Sequence, residues 1–145
     1  MDGLPVPTSP PATGALPAAF LGVGWAFPPR LLDADVALVA YDDDVRQAVW
    51  LLLSTEPGER VMRPTYGAGL RALAFEPLTT TTAALVRHRV ETALVRWEPR
   101  IDLVDVTVTA AAAAARLDIS VSYRVRTTNT AANLVYPFYL LEQTP

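Results

Sequence analysis

Ala93-Leu94-Val95-Arg96-Trp97-Glu98-Pro99-Arg100-Ile101-Asp102-Leu103-Val104-Asp105-Val106 contains the joint on which the fold turns. Upstream, Leu85, Val86, Val90, Ala93, Leu94 and Trp97 recur at three- and four-residue spacing, the period of one helix face. Downstream, Val104, Val106 and Val108 alternate with Asp105, Thr107 and Thr109, the period of a strand with one apolar face. Pro99 between them cannot continue a helix and lacks a backbone donor. It also drives Glu98 out of the helical region. Opposite charges, Glu98 and Arg100, therefore flank a fixed corner, which is either a local brace or a preformed docking point for a partner.

Further downstream, Ala110 to Ala115 links a hairpin. Leu117, Ile119, Val121, Tyr123 and Val125 then alternate with polar residues without a break, the clearest strand signal in the chain. After a turn at Thr127 to Ala132, Leu134 to Leu141 is apolar on both parities and contains Pro137. A proline inside a strand places it at a sheet edge, and apolar residues on both sides imply that its second face meets something.

Upstream of the joint, Thr79 to Thr82 caps the long helix, about 25 Å of rod. Residues 58–78 alternate turn formers with anchors and hold a short helical turn near Gly69 to Leu73. A first helix runs from Val45 to about Ser54 and closes at Pro57-Gly58. Asp42-Asp43-Asp44 reads as its N-cap rather than as a metal site, because no loop glycine or distal glutamate accompanies it. Val36 to Tyr41 is a short strand, and Phe20, Trp25 and Phe27 lay an edge strand or loop on the core. Residues 1–17, with five prolines, form a flexible arm, either a disordered leader or a tether that orders on a partner. The expected class is α+β: two main helices on a small, mostly antiparallel sheet, with residues 18–145 as a single domain.

The chain has 145 residues, 51% hydrophobic and 19% charged, with net charge −3. That length supports one core, and the acidic balance argues against a nucleic-acid partner. All 12 basic residues are arginine, which reflects either codon usage or planar, bidentate pairing at interfaces. With no cysteine, thiolate metal sites are excluded, and no cofactor or metal is expected. No secretory signal or spanning helix is read, so a cytoplasmic product is expected. His88 stands alone between Arg87 and Arg89 and reads as a solvated or packing residue. Glu56, Glu59, Glu76 and Glu98 are the nominees for a carboxylate-based glycan hydrolase, but their spacing selects no pair. A generic α+β adaptor is the remaining alternative.

Taken together, Leu53-Ser54-Thr55-Glu56-Pro57-Gly58-Glu59-Arg60-Val61-Met62-Arg63-Pro64, Tyr66-Gly67 and Trp97-Glu98-Pro99-Arg100-Ile101, in this order with a strand pair after them, resemble the baseplate wedge or sheath initiator family of contractile tails. Its relatives serve contractile phages, type VI secretion systems and extracellular contractile injection systems. The resemblance covers about residues 20–141 and omits the proline-rich arm and the alanine run. It implies a non-enzymatic, structural protein of an assembled particle, in a sixfold ring of copies, with no membrane insertion. Glu98, Pro99 and Arg100 would dock on the wedge core bundle, and Glu59 and Arg60 would bind a partner or brace the loop. The last strand region would be sheath-like. Leu134, Val135, Tyr136, Phe138, Tyr139 and Leu140 would pair with strands of the first sheath ring and so template polymerisation by β-augmentation. Wedge proteins and sheath subunits are the implied partners, with tube or hub proteins as further candidates. Relatives have been labelled lysozyme-like, a label the residues here do not support.

Overall fold

The computed structural model describes residues 21–32, 35–111 and 115–140. The arm of residues 1–17, Phe20, residues 112–114 of the alanine run and Leu141 lie outside the described residues. The chain divides into two compact units, residues 1–48 and 49–145.

In the first unit, β1 (Val23–Trp25) pairs antiparallel with β4 (Leu38–Ala40), and β2 (Leu31–Leu32) pairs with β3 (Asp35–Val36). Small apolar residues Ala26, Ala37 and Val39 form its buried cluster. Ala26 N–H donates to Ala37 O at 2.8 Å, and Gln47 Nε2 donates to Phe27 O at 2.9 Å. Trp25 and Phe27 do not pack inward as their size suggests: they are 71% and 48% exposed. The strand expected over Val36 to Tyr41 is interrupted at Ala37, and helix α1 (Tyr41–Ser54) begins at Tyr41. Asp42, Asp43 and Asp44 therefore sit inside the first turn rather than capping it, where their charges oppose the positive end of the helix dipole.

In the second unit, the latter part of α1 buries Val49, Leu52 and Leu53. A 3₁₀ turn (Arg71–Leu73) follows, then α2 (Thr80–Trp97). Thr79 caps α2 by accepting from Thr82 N at 3.2 Å, a contact worth about 1 kcal/mol. Val86, Val90, Ala93 and Leu94 form the buried stripe, but Leu85 is 41% exposed. Thr82 occupies the N-terminal end of that stripe, its hydroxyl satisfied by Pro77 O at 2.7 Å.

The sheet is antiparallel in the order β5 (Ile101–Ala111), β6 (Arg116–Val125), β7 (Thr130–Tyr139). Central β6 buries Leu117, Ile119, Val121, Tyr123 and Val125 almost completely, as its alternation predicts. Each such side chain contributes about 1.5–3 kcal/mol. The alternation of β5 is broken by a bulge between Leu103 and Asp105. The extra residue shifts the parity, so Ile101 and Val106 face inward and Val104 is 65% exposed. α2 packs along β5, and Arg87 reaches Asp105 across that contact at 3.5 Å. Two main helices with antiparallel sheets make an α+β fold, as the sequence predicts. Among the described residues, no helix is long and apolar enough to cross a membrane.

Candidate docking site

The corner after α2 is closed by its own charges. Glu98 ends the helix at φ −120°, ψ 81°, its N–H still bonded to Leu94 O. Its carboxylate is clasped by Arg100: Nε to Oε1 at 2.7 Å, Nη2 to Oε2 at 2.8 Å, and the Arg100 backbone N–H to Oε1 at 3.3 Å. Such a forked pair is both stronger and more directional than a single contact. The side chains are 8% and 29% exposed. Arg126 N–H donates to Arg100 O at 2.9 Å, tying the corner to the end of β6. The two charges face each other and close the corner on itself. Pro99 itself is exposed, beside a recess of about 240 Å³ bordered by Leu94, Val95, Asp102 and Arg126.

In the Gly58-Glu59-Arg60 loop the two charges separate. Glu59 folds back: Oε2 accepts from Glu56 N–H at 2.9 Å and Oε1 pairs with Arg71 at 3.2 Å. Glu56 in turn accepts from Arg71 N–H at 2.7 Å, at the start of the 3₁₀ turn. Arg60 turns outward and lies over the Tyr66 ring at 4.5 Å. Tyr66 meets Trp97 edge to face at 5.5 Å, and Trp97 Nε1 donates to Thr65 O at 3.2 Å. Arg96 and Arg63 cover Trp97 at 5.0 and 5.9 Å. Burial pushes the Tyr66 hydroxyl above the usual tyrosine value; Arg60 opposes that shift and Glu98 adds to it. Gly67 is required here: φ is +120°, and a Cβ would lie 2.3 Å from Thr55 O.

Arg63, Arg96, Tyr66 and Trp97 form a cluster that no single sequence motif contains. Its available signal was arginine recurring near aromatics on both sides of the loop, but 30 residues of chain hide their proximity.

β7 is an edge strand among the described residues. Leu134, Phe138 and Leu140 are buried, and Tyr136 is half-buried with its ring edge-on to Trp50 at 4.8 Å. Val135 and Tyr139 point the other way and are 52% and 58% exposed. The six residues nominated for strand pairing are thus divided between the protein's own core and the opposite face. Pro137 stands opposite Asp118 in register.

Of the nominated carboxylates, Glu56 and Glu59 both engage Arg71 and Glu98 engages Arg100. Glu56, Glu59 and Glu98 are each engaged by a backbone N–H or an arginine, while Glu76 is exposed. His88 is exposed on α2. Among the described residues, no group of three His, Cys, Asp or Glu is placed to hold a metal ion.

A model of the family described as baseplate wedge protein gp25 matches residues 39–130, which include α1, the Glu59–Arg60 loop, α2 and the corner. The chain belongs to the baseplate wedge protein gp25 family. Baseplate protein W of Escherichia phage P2 is 32% identical over 65 residues, 45% of this chain and 56% of that protein. Baseplate wedge protein gp25 of Enterobacteria phage T4 is 33% identical over 64 residues, 44% and 48% respectively. The chain thus spans about half the length of these curated relatives. One chain of the sixfold-symmetrised anti-feeding prophage baseplate is 34% identical, with TM-score 0.66, covering 87% of this chain and 90% of that one. A crystal structure labelled tail lysozyme from Geobacter sulfurreducens is 45% identical, with TM-score 0.68, covering 76% of this chain and all of that one. Both names, baseplate and lysozyme, are thus carried by structures similar to this chain.

Proposed function

We propose that the protein is a structural, non-enzymatic wedge component of a contractile-tail or injection-machine baseplate, one of six copies in a ring. The observation that carries this reading is the family match across the loop and the corner, joined by likeness to a baseplate chain over most of both lengths. In this reading Glu98, Pro99 and Arg100 dock on the wedge core bundle as a rigid shape rather than as free charges. The internal clasp holds the corner in one conformation, and a preformed surface loses less entropy on docking. Exposed Pro99 and the adjoining recess offer the contact.

We further propose that β7 accepts a strand from the first sheath ring and so templates polymerisation. Main-chain pairing at an edge supplies affinity without side-chain chemistry. Val135 and Tyr139 form the apolar outer face that such a partner would cover. Deletion of residues 134–145 is a poor test, because Leu134 and Phe138 belong to the core. Val135→Lys with Tyr139→Lys changes only exposed positions and adds the charges that block edge pairing. Particles carrying this variant should keep their baseplates and lack sheath; normal sheath growth refutes the template role. Glu98→Ala or Arg100→Ala should abolish incorporation of a chain that still melts cooperatively. Normal incorporation refutes corner docking.

The lysozyme label on one similar structure favours a hydrolase as the second reading. Its test is peptidoglycan turnover, where hydrolysis lost on Glu98→Gln would establish an enzyme and overturn the structural reading.

A further inference from the structure

Several arginines are neutralised within the chain: Arg71 by Glu59, Arg87 by Glu91, Arg100 by Glu98, Arg116 by Asp118 and Arg126 by Asp102. Arg60, Arg63 and Arg96 are not. Among the described residues they pair with no carboxylate, and all three are exposed. They lie on Tyr66 and Trp97 instead, at 4.5, 5.9 and 5.0 Å from the ring centres. Three arginines without a carboxylate partner thus share one small face of a protein of net charge −3.

The loop tip beside these arginines is apolar. Val61 is 87% exposed and Met62 is 90% exposed. Met62 has φ +62°, a left-handed conformation that a methionine rarely adopts. The turn closed by Arg63 N–H to Arg60 O at 3.2 Å holds it there. A conformation that costs free energy and points a large apolar side chain at solvent is a feature of recognition surfaces. Arginine, tyrosine, tryptophan and methionine are also the side chains enriched at interface centres.

We propose that this face, Arg60, Arg63 and Arg96 around the Val61-Met62 tip, docks an acidic, amphipathic segment of a partner protein. Its carboxylates pair with the three guanidiniums and its apolar side chains cover Val61 and Met62. Stacking on the rings already restricts the arginine side chains, so less entropy is lost when they pair. A nucleic acid fits worse, because the exposed ring faces of Tyr66 and Trp97 are occupied by arginine and offer no platform for bases. The tip also has no counterpart in a phosphate backbone. The side chains of this face are not those of the Glu98–Arg100 fork, and the peptide test reads them rather than corner docking.

The test uses the full chain and three fluorescent probes: a helix-forming Glu/Leu peptide, the same peptide with Gln for Glu, and an oligothymidylate of similar length. At low salt the acidic peptide should bind at least about tenfold more tightly than its Gln counterpart, and the gap should close as salt screens the charges. Arg60→Gln, Arg63→Gln and Arg96→Gln combined should remove the gap, whereas Arg124→Gln should leave it intact. Val61→Ser with Met62→Ser should weaken both peptides several-fold. Equal binding of the two peptides to the unaltered chain overturns the proposal without reference to any variant's folding. An oligothymidylate that binds as tightly as the acidic peptide also overturns it.

Discussion

The two glutamate–arginine motifs use the same residue types to opposite ends. At the corner, Glu98 and Arg100 close on each other in a buried fork across one intervening proline. In the loop, Glu59 and Arg60 are adjacent, and adjacent side chains in a turn diverge: one folds back to Glu56 and Arg71, the other leaves for Tyr66. The corner spends its charge internally and presents a shape. The loop ties its exposed carboxylate to its own chain and presents a cation. A motif's composition therefore does not say which of its groups reaches a partner; the backbone between the groups does.

The loop side of the contrast is most easily broken at Gly67. Gly67→Ala should cost about 4 kcal/mol, because it combines an unfavourable φ with a backbone overlap that no rotamer relieves. Urea unfolding measures it; a loss under about 1 kcal/mol would mean that the loop yields and does not hold Tyr66 in place.

The corner should respond asymmetrically. Arg100→Ala strands the buried Glu98 carboxylate and should cost about 3 kcal/mol. Glu98→Gln leaves an arginine that is 29% exposed and can turn to water, and should cost about 1 kcal/mol. Equal losses would show that the pair behaves as a surface bridge.

Much of this was legible in sequence wherever one period governed one face. β6, paired on both edges and alternating throughout, could be read residue by residue. β5 could not, because the bulge at Val104 leaves no mark in a valine-rich run. The aspartate triplet was read for its charge but placed one step early, since nothing local says that Tyr41 already begins the helix. At the site, the Pro99 corner was visible because proline constrains its neighbours directly. The Arg60, Arg63, Tyr66, Arg96 and Trp97 cluster was not, because it joins a loop to the end of a helix more than 30 residues away. Burial also decided what the last strand's apolar parities meant: Leu134 and Phe138 serve the core, and only Val135 and Tyr139 face outward.

The loop carboxylate should matter less than the buried one. Glu59→Ala removes an exposed pair and one acceptor for Glu56 N–H, and should cost about 1 kcal/mol. A loss equal to that of Arg100→Ala would erase the distinction between the two motifs.

Tyr66 senses both motifs and gives the smallest and most specific readout. Its hydroxyl is held above the ordinary 10.0 chiefly by burial, with Arg60 pulling it down and Glu98 pushing it up. Tyr136 is raised as well, by burial and then by Glu56. In both cases the folded protein retains the proton more tightly than the unfolded chain does. The associated stability is fully present below pH 10.0, the unfolded value, and is lost as the pH rises through the raised folded values. Chemical unfolding measured across that alkaline window should show the decline, and Tyr66→Phe should remove part of it while leaving neutral-pH behaviour nearly unchanged. Arg60→Gln should move the Tyr66 titration further upward, because it deletes the opposing cation and leaves burial and Glu98 in place. If ultraviolet titration shows Tyr66 moving downward in Arg60→Gln, Arg60 does not lie on the ring in solution, and the outward-facing half of the comparison fails with it.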